Sequence, residues 1–169
     1  MQSDKSVYNC VVFGVPGEPQ GKARPRFARR GKLVSTYTPQ ATQKYEELIR
    51  YSALKVRQRN GIDKPISGNI ILNIRAYFKI PKSYSKKRKE MCLAGDERPT
   101  KKPDSDNIAK IVLDGLNPKM KVDHRLHKAV CVHEGLYQDD RQVIDLRVEK
   151  WYSDEPRVEI TAMWDDDKG

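Results

Sequence analysis

Apolar and polar residues alternate most cleanly over residues 69–80. Ile70, Leu72, Ile74, Ala76, Phe78 and Ile80 share one face, with Asn73, Arg75 and Lys79 opposite. A period of two marks a strand with one buried face. Residues 7–13 alternate in the same way, with Val7, Asn9, Val11 and Phe13 against Tyr8, Cys10 and Val12. Residues 142–152 and 157–164 predict two further strands. The short link Ser153-Asp154-Glu155-Pro156 predicts that they form an antiparallel hairpin.

Elsewhere the apolar period lengthens to that of a helix. Ala41, Tyr45, Leu48, Ile49, Ser52, Ala53 and Val56 recur at helical spacing. Thr38 with Pro39 at the first helical position starts that helix, and Asn60-Gly61 stops it. Residues 82–94 predict a short basic helix. Residues 106–117 predict a third helix, with Ile108, Ile111, Val112 and Leu116 as its apolar stripe, Asp104 or Asp106 at its opening and Pro118 as its stop. Residues 14–37 read as a basic loop bounded by Gly and Pro, and residues 165–169 as a frayed tail. The order of elements implies a single α+β domain over residues 1–169, a mixed β-sheet with flanking helices.

Composition narrows the class of partner. Of the 169 residues, 33% are charged and 37% hydrophobic, enough for one core without disulfide staples. The net charge of +10 points to an anionic partner, nucleic acid first. The charge is uneven: residues 1–103 hold 23 Lys and Arg against 8 Asp and Glu, whereas residues 104–169 hold 10 against 15. A basic part can attract a polyanion while an acidic part holds metal ions against it. Three cysteines, Cys10, Cys92 and Cys131, are too few and too odd for a disulfide framework. With no signal peptide and no apolar run near ~18 residues, the expectation is a soluble cytoplasmic protein with no membrane partner.

The candidate chemistry lies in Lys101-Lys102-Pro103-Asp104-Ser105-Asp106-Asn107-Ile108-Ala109-Lys110. Asp at a helix start has an ordinary use as a cap favoured by the helix dipole. It has a second reading as a hard-oxygen ligand for Mg²⁺. Lys110 lies one turn after Asp106, and Asp114 one turn further. That face is either a solvated ion-pair face or one suited to a phosphate. A distant pair, Asp139-Asp140, precedes a strand, and neighbouring strand residues point oppositely, so only one of them readily joins a cluster. One or two Mg²⁺ ions held by Asp residues, with a lysine beside the phosphate, meet the needs of phosphodiester hydrolysis without a covalent nucleophile.

Three blocks of the chain resemble the RusA family of Holliday-junction resolvases. They are Lys22-Ala23-Arg24-Pro25-Arg26 with Tyr37-Thr38-Pro39; Lys102 to Lys110 with Leu113-Asp114-Gly115-Leu116-Asn117; and Tyr137-Gln138-Asp139-Asp140-Arg141-Gln142-Val143. The resemblance implies Mg²⁺-dependent, symmetric nicking of four-way DNA junctions by a homodimer, with Mn²⁺ as a possible substitute ion. It implies Asp104, Asp106 and Asp140 as the essential carboxylates, Lys110 as the important lysine, and a supporting role for Asp139. A two-fold junction suits a two-fold dimer. Relative to the family, residues 118–135 read as an insertion.

All three histidines, His124, His127 and His133, fall in that insertion together with Cys131. They are candidate zinc ligands, although the spacing fits no familiar zinc module. The ordinary alternative is a surface loop leading into a strand, with Val130 and Val132 buried. Lys22, Arg24, Arg26, Arg29 and Arg30 of the basic loop, with Lys101 and Lys102, are the expected contacts to DNA phosphates. Two other functions remain open: a nuclease for flaps, forks or other branched DNA, and a non-catalytic nucleic-acid-binding protein.

Overall fold

The computed structural model describes residues 7–165, so the tail expected to fray lies outside the described residues except for Asp165. The core is a four-stranded mixed sheet in the order β1-β8-β4-β7, comprising β1 (Asn9–Pro16), β4 (Ile70–Lys79), β7 (Val143–Ser153) and β8 (Arg157–Trp164). β8 pairs antiparallel with both β1 and β4, and β7 pairs parallel with β4. Three helices accompany it: α1 (Gln40–Arg59), α2 (Lys86–Ala94) and α3 (Ser105–Leu116). The α+β class with a mixed sheet is as the sequence pattern implies.

β7 and β8 do not form the hairpin that their short link predicts, because β4 lies between them. Ser153 pairs with Lys79 and Arg157 with Tyr77, so the link steps over the end of β4. The reason is burial. Ile70, Leu72, Ile74, Ala76 and Phe78 of β4 are all buried, and the strand takes the interior position that uses both its hydrogen-bonding edges.

α1 buries Tyr45, Ile49, Ala53 and Val56 at helical spacing. It crosses α3 closely at Gly115, where a Cβ would stand only 2.7 Å from the Ile49 Cβ. Glycine is therefore required there by the approach of the two helices. α2 opens at Ser85, whose hydroxyl accepts a hydrogen bond from the Arg88 N–H, a cap that shortens the expected helix by four residues.

Two antiparallel hairpins project from this body. The first, β2 (Arg26–Arg30) and β3 (Leu33–Tyr37), occupies much of the stretch that reads as loop. The second, β5 (Lys119–Asp123) and β6 (Lys128–His133), fills residues 118–135. Its ends meet, since the Leu136 N–H donates to the Leu116 carbonyl at 2.9 Å. Val132 is exposed and Val130 only half-buried, so the expectation that they are buried fails: among the described residues β6 pairs with β5 alone, and no third layer covers it.

Candidate functional site

α3 carries the acidic groups, and its apolar stripe explains where they point. Ile108, Ile111, Val112 and Leu116 are fully buried, which turns Asp106 and Lys110 outward. Asp104 occupies the N-cap position in extended backbone, yet its side chain makes no capping hydrogen bond. Its carboxylate is thus exposed at the positive end of the helix without being used as a cap. Asp106 sits in the first turn, also exposed. Lys110 makes no ion pair among the described residues, because Asp114 is taken by Lys22 at 2.7 Å.

The loop after β1 lies over this helix start. The Lys22 N–H donates to the Asn107 carbonyl at 3.0 Å. A Cβ on Gly21 would stand 2.7 Å from the Pro103 Cβ, so only glycine permits the approach. Between loop and helix lies a cleft of about 610 Å³ lined by Gly21, Lys22, Arg24, Lys102, Pro103, Asp104 and Asn107. Lys22 also bonds Glu46. Burial works to lower the Lys22 pKa, but its bonds to Asp114 and Glu46 outweigh burial and hold the amine above its usual value. Its charge is spent on holding the loop down, whereas Arg24 and Lys102 are exposed along the cleft.

Asp139 and Asp140 have different environments. Asp139 caps a single 3-10 turn, Asp140–Gln142, and accepts hydrogen bonds from the Arg141 N–H at 2.9 Å and the Arg141 Nε at 3.0 Å. Those bonds hold its carboxyl below the usual range, the backbone N–H contributing most. Asp140 faces α3 instead. Its Oδ2 accepts from Asn117 Nδ2 at 3.0 Å, and its N–H donates to Asn117 Oδ1 at 3.0 Å. Gln142 fixes the whole turn: its Oε1 accepts from the N–H groups of Gln138 and Asp139, and its Nε2 donates to the Ile66 and Gly68 carbonyls. The buried Tyr137 hydroxyl donates to the Leu113 carbonyl at 2.8 Å. Burial first, then the nearby Asp140 and Asp114 charges, push its pKa far up.

These contacts put Asp140 at the end of α3 remote from Asp104 and Asp106. Helix rise separates Asp106 from Asn117 by roughly 16 Å. Within one chain, then, Asp104 and Asp106 are neighbours and Asp140 stands apart. Among the described residues no group of three or more His, Cys, Asp or Glu side chains is gathered in a way that could hold a metal ion. That holds for the second hairpin also, where His124, His127, Cys131 and His133 are all exposed. His133 instead lines a separate cleft of about 300 Å³ beside α1, with Glu47, Arg50 and Lys119.

Of the expected phosphate contacts, Arg26, Arg29 and Arg30 lie exposed on β2. Lys101 lies 3.8 Å from Glu18 and over the Phe78 ring. Sequence reasoning missed Lys150 of β7, whose ammonium donates to the Lys101 carbonyl. Burial lowers its pKa, and the Asp104 charge partly opposes that, which places Lys150 in the same electrostatic neighbourhood. It also missed Arg50 and Arg57, two buried cations of α1. Arg50 donates to the Asn117 and Asp114 carbonyls at the end of α3. Arg57 donates to Glu134 and to the Ile62, Asp63 and Gly135 carbonyls. Asn117 and Gln142 stood inside the quoted blocks, but only the structure reveals that they hold Asp140.

An acidic helix start thus faces the cations Arg24 and Lys102 across an open cleft. The family model for endodeoxyribonuclease RusA matches residues 16–163, and the chain belongs to that family. It is also similar to a Bacillus subtilis (strain 168) protein named "Uncharacterized protein YqaN", with 36% identity over 154 residues, covering 90% of this chain and 94% of that protein. Among the described residues no helix is long and apolar enough to cross a membrane.

Proposed function

We propose that the protein is a Mg²⁺-dependent resolvase that nicks four-way DNA junctions in symmetric pairs as a homodimer. The observation that carries this is the cleft in which the exposed, uncapping carboxylate of Asp104 faces Arg24 and Lys102. Mg²⁺ is usually held by one or two carboxylates, with waters and substrate phosphates completing its shell. The Asp104–Asp106 pair fits that donor set, and neither His nor Cys lines this cleft. When bound, the ion supplies Lewis acidity to phosphodiester hydrolysis. Mn²⁺ fits the same oxygen donors.

The protein groups then divide the work. Asp104 and Asp106 would hold the ion, and Lys110, which makes no ion pair among the described residues, would stabilise charge on the phosphate. Arg24 and Lys102 hold the flanking phosphates and so fix the strand in register. Asn117 holds Asp140. A homodimer gives the separation along α3 a use: the Asp104–Asp106 pair of one chain meets Asp140 of the other. β7 supports this reading, because it begins just after Asp140, is an edge strand and leaves Ile144 63% exposed, with Leu146 exposed beside it.

The test is cleavage of a synthetic four-way junction beside flap and duplex controls, with and without Mg²⁺. Paired nicks related by two-fold symmetry, on the junction and only with the metal, are expected. Equal cutting of flaps makes it a general branched-DNA nuclease, and binding without cutting of any substrate ends the catalytic reading.

A further inference from the structure

The β2–β3 hairpin is accounted for neither by the core nor by the cleft. Every residue of both strands is exposed. A hairpin that is merely solvated carries polar side chains on both faces, but here Phe27 is 75% and Leu33 78% exposed, and Val34 and Tyr37 are exposed as well. Register places these groups among arginines. Arg26 pairs with Tyr37 and Arg30 with Leu33 on one face, and Arg29 pairs with Val34 on the face that carries Phe27. Between Glu18 and Glu46 the chain has seven Lys and Arg and no acidic residue.

An occupant must satisfy both chemistries. It needs anionic groups for the arginines and a flat apolar surface for Phe27. Nucleic acid with unstacked bases offers both, since any base face stacks on an aromatic ring while the phosphates meet the cations. Intact duplex stacks its bases continuously, whereas a branch point interrupts the stack, so that a base face can be uncovered there. The position agrees: Arg24, two residues before β2, lines the cleft that holds Asp104, so the hairpin extends that candidate DNA surface.

We infer that the β2–β3 hairpin is a branch-recognition arm, in which Phe27 stacks on a base left unstacked at the branch point, Arg29 on the same face holds an adjacent phosphate, and Arg30 on the opposite face meets phosphates of a neighbouring DNA arm. This rests on the reading of the protein as a branched-DNA nuclease and adds the element that tells branch from duplex.

The test uses full-length protein with Ca²⁺ in place of Mg²⁺, so that DNA is bound but not cut. The probes are a four-way junction with 2-aminopurine at the branch and a duplex of the same sequence. Phe27→Ala is expected to lower the preference for junction over duplex by roughly tenfold and to abolish the change in 2-aminopurine fluorescence, with Phe27→Trp restoring both. Combined Arg29→Ala and Arg30→Ala substitution should reduce the slope of log affinity against log salt by about 1.8. Unchanged junction preference and fluorescence in Phe27→Ala overturns the proposal. So does a shift of that variant to a smaller sedimenting species, which makes the arm a chain–chain contact. Phe27-dependent binding to phosphatidylserine vesicles as tight as to the junction also overturns it. If the wild type cuts junctions with Mg²⁺ while Phe27→Ala keeps its preference, only the arm is refuted. If the wild type cuts no branched DNA, the nuclease reading falls separately.

Discussion

The two ends of α3 carry acidic groups in opposite conditions. At the start, Asp104 and Asp106 are exposed, and Asp104 forgoes the capping bond open to it. At the end, Asp140 is tied to Asn117 by two hydrogen bonds, and the helix carbonyls are tied to the buried Arg50. One end is open to something outside the chain, and the other is pre-positioned from within. The carboxylates of the proposed site therefore differ in how they are held: Asp104 and Asp106 are left free, whereas Asp140 accepts one bond from Asn117 and keeps its remaining acceptor capacity.

The contrast can be broken most forcefully at the start of the helix. Asp104→Asn or Asp106→Asn should lower junction cleavage by at least roughly a hundredfold while changing stability by only about 0.5 kcal/mol. A cleavage assay with a parallel urea melt checks both numbers, and full activity in both variants removes the catalytic assignment. Next in size is recovery on mixing. Asp104→Asn and Asp140→Asn proteins, each inactive, should regain single-strand nicking when refolded together if each site draws on two chains. A site within one chain leaves the mixture inactive, because every site then carries one defect.

At the other end the loss should fall on stability. Arg50→Ala leaves two helix carbonyls without their buried donor and should cost about 2–3 kcal/mol in a denaturant titration. Asn117→Ala should cost only about 1 kcal/mol but slow cleavage roughly tenfold, by releasing Asp140. The smallest effect is that of acid on Asp139. Its folded pKa lies below the ordinary 3.8, so its stabilising contribution is present above that value and is lost as pH falls through the lower folded pKa. An NMR titration of the Arg141 amide should report that midpoint below 3.8.

The parts legible in the sequence are those where one face is buried. β4 and α3 bury every second or every third-to-fourth residue, so their periods are plain. The β2–β3 hairpin buries neither face, and without a buried face alternation carries no signal. The relation of β7 to β8 was hidden for another reason: link length limits how far apart two strands lie but does not say whether a third strand runs between them. For the site, residue type and spacing left Asp104 and Asp106 as caps or ligands and did not choose between Asp139 and Asp140; the resemblance to the RusA family singled out Asp104, Asp106, Lys110 and Asp140. The bond from Asn117 to Asp140 was not legible, because it joins residues 23 apart through side chains that have many other possible partners.

The meeting of Leu116 with Leu136 has a practical reach beyond the site. A hydrogen bond joins the chain on either side of the second hairpin, and Gly135 sits so close to Leu116 that an added Cβ would come within 2.1 Å of the Leu116 carbonyl oxygen. The body of the protein is thereby closed beneath the hairpin, which stands on it as a self-contained graft. Closure entropy grows only slowly with loop length, about 0.6 kcal/mol per doubling. Residues 124–127 at its tip are therefore a permissive point for splicing in an epitope or fluorescent reporter, so that the enzyme can be followed on DNA without touching either end of α3.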